Sequence, residues 1–410
     1  MGSEAIQVAQ GVLLTFAALF LAGALAAKLA GFLKIPDVVL FLLIGIVVGP
    51  PCLNIINVPA ESPLNQLLLI LGASFLLFHG GMSVSFGVLK KTWLTISLLA
   101  TVAVLIMVAI VGYTAHYILG VGLMSGLLLA AVLASTDPAT LVPIFLAIKV
   151  KDKVAHTVLS ESAFNDATGA IVTFGILGII ATGQFSLSDC FGQFAIMSVG
   201  GILIGVIFGL LSAFILCDKS RHFFGEYAQV MLLPLIILSY VSADYLGASG
   251  FMAVFVAGLI HGNMNFFAWR MHVDHVENYY SFIDNGSLLL RMIIFILLGA
   301  HVDFTIVKQI LWPGCAVIAV FMFIARPLAV LVCTLPDRRA EWTKNEIIFM
   351  FWTRETGVIP AALSGMLIGM DVQHADIIAA LTFIAILATL IIQASTTKWL
   401  AAKLDLLELN

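Results

Sequence analysis

Long apolar runs alternate with short polar punctuation along this chain, and the length of the runs is the first thing to explain. A helix needs about 20 largely apolar residues to cross the hydrocarbon core of a bilayer. Windows of that kind fall near residues 11–33, 36–50, 64–83, 93–118, 121–147, 154–181, 190–216, 226–246, 249–264, 281–301, 306–333, 345–369 and 374–398. These thirteen segments predict an all-α polytopic membrane protein filling residues 1–410 as a single membrane domain. Segments 2 and 9 are short, and short or broken segments recur in transporters. The first run is long enough to span and lacks a basic start, so no cleavable signal peptide is expected. The tail from Lys398 to Asn410 is an amphipathic stretch carrying Lys403, Asp405 and Glu408. It reads as attached to the membrane surface, and no soluble regulatory domain is expected.

The basic residues test this count. With thirteen crossings, fifteen of the nineteen Lys and Arg residues fall on one side and only Lys308 on the other. Basic loops stay cytoplasmic, so the N-terminus is placed outside and the C-terminus in the cytoplasm of a multi-pass cell-membrane protein. The other three, Arg291, Arg326 and Arg354, lie inside apolar segments. Arg326 precedes Pro327 near a segment end and reads as snorkelling to the interface. Arg291 and Arg354 read as buried partners.

Thirteen spans divide as six, one and six, and an odd linker helix near 190–216 inverts the second six against the first. That is the layout of two inverted repeats, roughly 11–181 and 226–398. It sets segment 5, with Thr136-Asp137-Pro138, opposite segment 12, with Arg354-Glu355-Thr356-Gly357-Val358-Ile359-Pro360. Proline removes a backbone donor and frees carbonyls. Broken backbone at membrane depth is tolerated only where it lines a cavity. Paired interruptions of this kind point to a transport site.

Composition narrows the class further. The chain is 61% hydrophobic and 10% charged, with a mean hydropathy of +1.12. A net charge of −4 with scattered basic clusters gives no sign of a nucleic-acid partner; the partner is the lipid bilayer. The five cysteines show no CxxC spacing and read as apolar packing residues. No HExxH, GxSxG or phosphate-loop motif appears, which argues against an enzyme. Nothing in the sequence asks for a cofactor.

The candidate chemistry sits on segment 6. Glu161, Ser162, Asn165 and Asp166 occupy positions where their neighbours belong in lipid, and an ionisable group there is read as functional. Ser162 and Asp166 share one helix face, as do Glu161 and Asn165. Hydroxyl, amide and carboxylate oxygens suit a hard monovalent cation. Asp166 is best placed to take either a proton or a cation, its affinity tuned by burial and nearby arginine. Glu161 reads as the neutraliser of Arg354 or Arg291. Asp137 is an ion ligand or the cap of a broken helix, and Thr136 offers another oxygen to Na⁺ or K⁺ beside Asp166 and Ser162. Glu355 reads as facing another arginine or the cytoplasmic funnel. The run His272-Val273-Asp274-His275-Val276-Glu277 has metal-ligand residue types but reads as a solvated loop, and His261 as an interfacial residue. Gly200-Gly201 and Gly205 to Gly209 read as close helix packing.

Three stretches carry a family resemblance: Ser135-Thr136-Asp137-Pro138, Glu161-Ser162 with Asn165-Asp166, and Ala253-Val254-Phe255-Val256-Ala257-Gly258-Leu259 with Gly262-Asn263. They resemble the monovalent cation/proton antiporters of the NhaP type, relatives of the eukaryotic sodium/proton exchangers. The resemblance spans the membrane domain and implies two inverted six-helix repeats with segments 5 and 12 unwound and crossing. It implies a homodimer whose core domains, including segments 3–6 and 10–13, move as elevators. It makes Asp166 the shared carrier of cation and proton, with Asn165, Ser162 and Thr136 as ligands or supports, and it suggests that Glu161 pairs with Arg354. An Asn-Asp pair looks like the electroneutral branch, exchanging one Na⁺ (or K⁺) for one H⁺. The family often carries an acidic residue on segment 3, where this chain has Leu77-Phe78-His79-Gly80-Gly81. His79 is therefore a candidate for cation selectivity or pH sensing. A cation-coupled solute symporter is a more distant reading, and it would need a further set of polar residues for that solute.

Overall fold

Caps and glycine stops written in the sequence decide where the apolar runs begin and end as helices. A computed structural model describes residues 2–33, 36–136, 145, 150–183, 187–217, 227–267 and 273–407. In chain order its helices are α1 (Gly2–Leu33), α2 (Asp37–Val48), α3 (Pro63–Ser83), α4 (Phe86–Ala100), α5 (Val102–Leu119), α6 (Leu123–Leu133), α7 (Asp152–Thr182), α8 (Leu187–Cys217), α9 (Ala228–Tyr245), α10 (Gly250–Gly262), α11 (Val273–Ala300), α12 (Phe304–Val320), α13 (Arg326–Thr334), α14 (Lys344–Trp352), α15 (Val358–Gly369), α16 (Ala375–Ala388) and α17 (Ser395–Lys403). Two π-helical turns, Phe321–Ala325 and Thr389–Ala394, join α12 to α13 and α16 to α17. The fold is all-helical, as the apolar runs predict.

Ser62 caps α3, its Oγ accepting from the Asn65 amide at 3.2 Å, with Pro63 in the first helical position. Thr343 and Glu346 form a reciprocal capping box at the start of α14. Helices α5 and α7 stop at Gly120 and Gly183, both left-handed with φ of 68° and 65°. Among the described residues nine helices are long and apolar enough to cross a bilayer, and four shorter apolar ones accompany them: Asp37–Val48, Leu123–Leu133, Gly250–Gly262 and Val358–Gly369. Leu13, Leu14, Leu21, Ile196, Leu203 and Ile207 on α1 and α8 are exposed. That is the surface a helix presents to lipid rather than to water.

The helices pack in two groups. Helix α10 lies against α3, α8 and α9, and α11 against α2 and α3. In the other group α5 packs on α6, α12 and α13, α4 and α6 pack on α7, and α15 packs on α16. The groups meet where α3, α10 and α11 face α7 and α15. Close backbone approach holds the seams, as the glycine runs suggest. A Cβ on Gly258 would lie 2.1 Å from the Phe78 carbonyl oxygen, and one on Gly205 would lie 2.5 Å from that of Ala253. Only a residue without a side chain fits such a crossing.

Two expectations are corrected here. The C-terminal tail does not simply lie on the membrane surface. After α17 it turns back, the Lys151 amide donates to the Leu406 carbonyl at 2.9 Å, and Val150 pairs with Leu407 in an isolated antiparallel bridge. Leu406 is thereby buried. His261 is not interfacial either: it is fully buried, with Nδ1 3.0 Å from Ser212 Oγ and Nε2 2.8 Å from the Tyr279 hydroxyl. This polar chain ties α8, α10 and α11 together.

Candidate functional site

Helix α6 ends in mid-span. The Ala134 amide bonds back to Ala131, and Ser135 and Thr136 leave the helix. A helix end leaves carbonyls without intrahelical donors, and in a membrane something other than water has to satisfy them. Arg354 does so, its Nη2 donating to the Ala134 carbonyl and reaching that of Leu133 at 3.4 Å. A cation is the complement for the negative end of a helix dipole. Arg354 itself comes from a second interruption, Thr353–Gly357, between α14 and α15. The two broken segments thus meet through one guanidinium, which also stacks on Phe321 with its carbon 4.4 Å from the ring centre.

The far side of the first break is held by α7. Asn165 Oδ1 accepts from the Thr136 amide at 3.1 Å, replacing the helical partner that the break removes. Asn165 Nδ2 donates to Thr136 Oγ1 at 2.9 Å, and that oxygen lies 2.6 Å from Ser162 Oγ. The single proton on Thr136 Oγ1 goes either to Ser162 or to Asn165 Oδ1, 3.1 Å away. Asp166 follows Asn165 and stands one helical turn beyond Ser162, and all of these side chains are buried. Thr136, Ser162, Asn165 and Asp166 are therefore gathered, as their pattern predicts. Asp137 lies outside the described residues. Gly169, one turn further on, went unremarked in the sequence and makes the approach feasible. A Cβ there would sit 2.3 Å from Ser135 Oγ. Its signal is the Asp-to-Gly spacing of three on a packed helix face, which many non-functional helices share.

The ion pairs differ from expectation. Glu161 pairs with neither Arg354 nor Arg291. Arg326 takes it in a two-point grip, Nη1 on Oε1 and Nη2 on Oε2 at 2.8 Å, while its Nε donates to the Met350 carbonyl at 3.1 Å. Both side chains are within 2% of full burial, so Arg326 does not snorkel. The cause is the π-helical turn before it. Pro327 lacks an amide and cannot tolerate the carbonyl one turn back, so the helix widens over Phe321–Ala325 and closes with the Arg326 amide on the Phe321 carbonyl. One extra residue in the turn rotates the rest of the helix by about 100°.

Arg291 instead pairs with Asp37, Nη2 to Oδ2 at 3.0 Å, joining α11 to α2. His79 turns to α11, with Nδ1 2.8 Å from Ser287 Oγ and Nε2 3.4 Å from Asp284 Oδ1. Of the histidine-rich run, His272 lies outside the described residues, and so do the side chains of Asp274 and His275. Glu355 is fully buried beside Arg354.

Two hydroxyls and an amide gathered at broken backbone, with the buried Asp166 carboxylate next to them on the same helix, suit a desolvated hard cation and a proton. Comparison with known proteins agrees with that chemistry. Residues 16–403 match the family described as sodium/hydrogen exchanger, transmembrane. Na(+)/H(+) antiporter 1 of Methanocaldococcus jannaschii is 33% identical over 93% of each chain. K(+)/H(+) antiporter NhaP of Alkalimonas amylolytica is 28% identical over 95% of this chain and 66% of its own length. The solved structure of the sodium proton antiporter MjNhaP1 from M. jannaschii superposes with a TM-score of 0.82 at 30% identity, covering 97% of this chain and 99% of that one. This multi-pass membrane protein belongs to the sodium/hydrogen exchanger family.

Proposed function

We propose that this protein is a secondary active antiporter that exchanges Na⁺ for H⁺ across the cell membrane, with the two ions competing for Asp166. The observation that carries the reading is the cluster at the first break: Thr136, Ser162 and Asn165 joined by hydrogen bonds at 2.6–3.1 Å on the helix face that leads to Asp166. An ionised carboxylate in mid-membrane costs about 3 kcal/mol or more. Binding either H⁺ or a monovalent cation cancels the charge, so only the occupied forms cross. One cation then exchanges for one proton, and the cycle is electroneutral. Thr136 and Ser162 supply further oxygens to the cation. Asn165 holds the Thr136 hydroxyl, which in turn holds that of Ser162, and Asn165 is itself spent on the Thr136 amide and hydroxyl.

The transport step is an elevator movement. The packing favours a mobile body of α4–α7 and α12–α17 carrying Asp166, sliding on a scaffold of α1–α3 and α8–α11. This moves segments 3 and 10 out of the expected core, because α3 and α11 pack with α2 and α10. The scaffold's exposed apolar helices α1 and α8 suit lipid and a second copy in a homodimer. The basic-residue partition supports an external N-terminus and a cytoplasmic C-terminus.

The alternative is K⁺/H⁺ exchange, which the name of the Alkalimonas amylolytica relative favours. Oxygen ligands serve both ions, and selectivity depends on cavity size and ligand field. Dissipation of a preset ΔpH in proteoliposomes, with Na⁺, Li⁺ or K⁺ added in turn, tests the reading. A response to Na⁺ and Li⁺ alone is expected. A response to K⁺ as well favours the alternative, and no response to any of them overturns the proposal.

A further inference from the structure

Thr389 belongs to none of the motifs that mark the ion site, yet the second break hangs on it. It opens the π-helical turn Thr389–Ala394 and is fully buried. Its Oγ1 accepts from the Thr356 amide at 3.1 Å and donates to the Ala385 carbonyl at 2.9 Å. A hydroxyl bonded back to the carbonyl four residues earlier competes with the helix's own ladder and loosens it locally, which is where this helix widens into its π turn. The Thr356 amide has lost its helical partner to the interruption Thr353–Gly357, and in an apolar interior such a donor needs another acceptor.

From Thr389 a chain of contacts runs to the ion cluster. Thr356 stands two residues from Arg354 in the same non-helical stretch. Arg354 caps the end of α6 at Ala134, and two residues later Thr136 is bound by Asn165 and Ser162. Each link is a hydrogen bond or a short piece of backbone, and its intermediate members are buried. A shift of the second break moves Arg354, and with it the carbonyls that set where Thr136 presents its oxygen.

We infer that Thr389 is a positioning residue for cation binding: by holding the Thr356 amide it fixes the Arg354 cap and so the geometry of the Thr136–Ser162 oxygens. The inference rests on the proposal that this cluster binds the transported cation, and it adds a residue on the last apolar span to that site.

The test is cation exchange by the full chain in proteoliposomes, measuring apparent KM and maximal rate for Na⁺. Thr389→Val keeps the shape and deletes the acceptor. It is expected to raise KM about fivefold or more, the scale of one lost buried hydrogen bond, with the maximal rate changed less than KM. Thr389→Ser keeps the acceptor and is expected to stay within about twofold of the parent KM. Thr397→Val is the control. That threonine is equally buried, and its hydroxyl bonds to the Gln393 carbonyl at 2.8 Å, so its KM is expected to be unchanged. An unchanged KM in T389V, or an equal rise in T397V, overturns the inference while the exchange reading stands. Should T389V fail to fold, a KM raised fivefold in T389S overturns it as well. Absence of exchange in the parent chain with any cation would instead remove the reading on which the inference rests.

Discussion

Arg326 holds Glu161 by both carboxylate oxygens, and neither side chain is more than 2% exposed. This pair joins α7, which carries the candidate ion site, to the helix beyond the first π turn. Two-point geometry and full burial make it a structural lock rather than a site of exchange. It also leaves Arg354 to cap the broken end of α6.

Breaking that lock from one side should be costly. Glu161→Gln strands a buried guanidinium, and loss of about 3–5 kcal/mol is expected for such a removal. Thermal unfolding in detergent should show E161Q and R326M each strongly destabilised. The paired variant E161L/R326M should recover much of the loss, because no buried charge is left uncompensated. A single variant as stable as the double would show that the pair does not lock the helices.

Gly169 offers a sharper probe of the site than any of its polar residues. A methyl group there meets Ser135 Oγ at 2.3 Å, whereas one on Gly175 of the same helix meets nothing within 4 Å. Gly169→Ala should displace the Ser135 side chain beside Thr136 and raise the apparent cation KM. Gly175→Ala should match the parent chain in exchange and gain a little helix stability, up to about 1 kcal/mol. Equal behaviour of the two variants in the KM assay would contradict the proposed closeness of Ser135 and α7.

A pH effect on stability is expected from His301, just past the apolar span that ends at Ala300. Its Nε2 donates to the Val58 carbonyl at 2.7 Å. Burial is the largest influence and holds the imidazole below its ordinary range, against the opposing pull of that carbonyl and of Glu61. Below about pH 6.5 the unfolded chain therefore binds a proton more readily than the folded one. Stability should rise with pH through the window below 6.5, and the rise should flatten above it. His301→Gln should lose part of that slope in thermal unfolding series. An unaltered slope would assign the pH dependence to other groups.

Much of this was legible in the sequence because membrane burial makes polar residues conspicuous. Asn165 and Asp166 stand out against their neighbours, and Pro360 lies just past the interruption Thr353–Gly357. The run lengths were enough to place most helix ends within a few residues. What escaped are features that depend on phase and on third parties. Arg326 looked peripheral because it precedes Pro327 near a segment end, and that position does not reveal the π-helical turn before it. Its partner Glu161 was therefore left to Arg354 or Arg291, the two arginines read as buried. His261 looked interfacial because its partners, Ser212 and Tyr279, come from other helices, which its own apolar segment does not reveal. Leu406 looked like a surface residue because its cover, the Val150 and Lys151 backbone, is more than 250 residues away.

Replacing Asp166 with Asn keeps the shape of the side chain and removes its charge and titration. D166N should fold, judged by an unfolding temperature near or above that of the parent, and should dissipate no ΔpH with Na⁺, Li⁺ or K⁺. A folded D166N that still exchanges would move the carrier to another residue.

The most direct test of competition at Asp166 is the apparent Na⁺ KM of the parent chain, measured in proteoliposomes across a pH series. If proton and cation share one carboxylate, KM should climb as pH falls, towards about tenfold per pH unit once the proton dominates, as mass action requires for two ligands of one site. The maximal rate should stay nearly constant. A KM that does not change with pH while the maximal rate falls would contradict the account, because the proton would then be acting away from the cation's site.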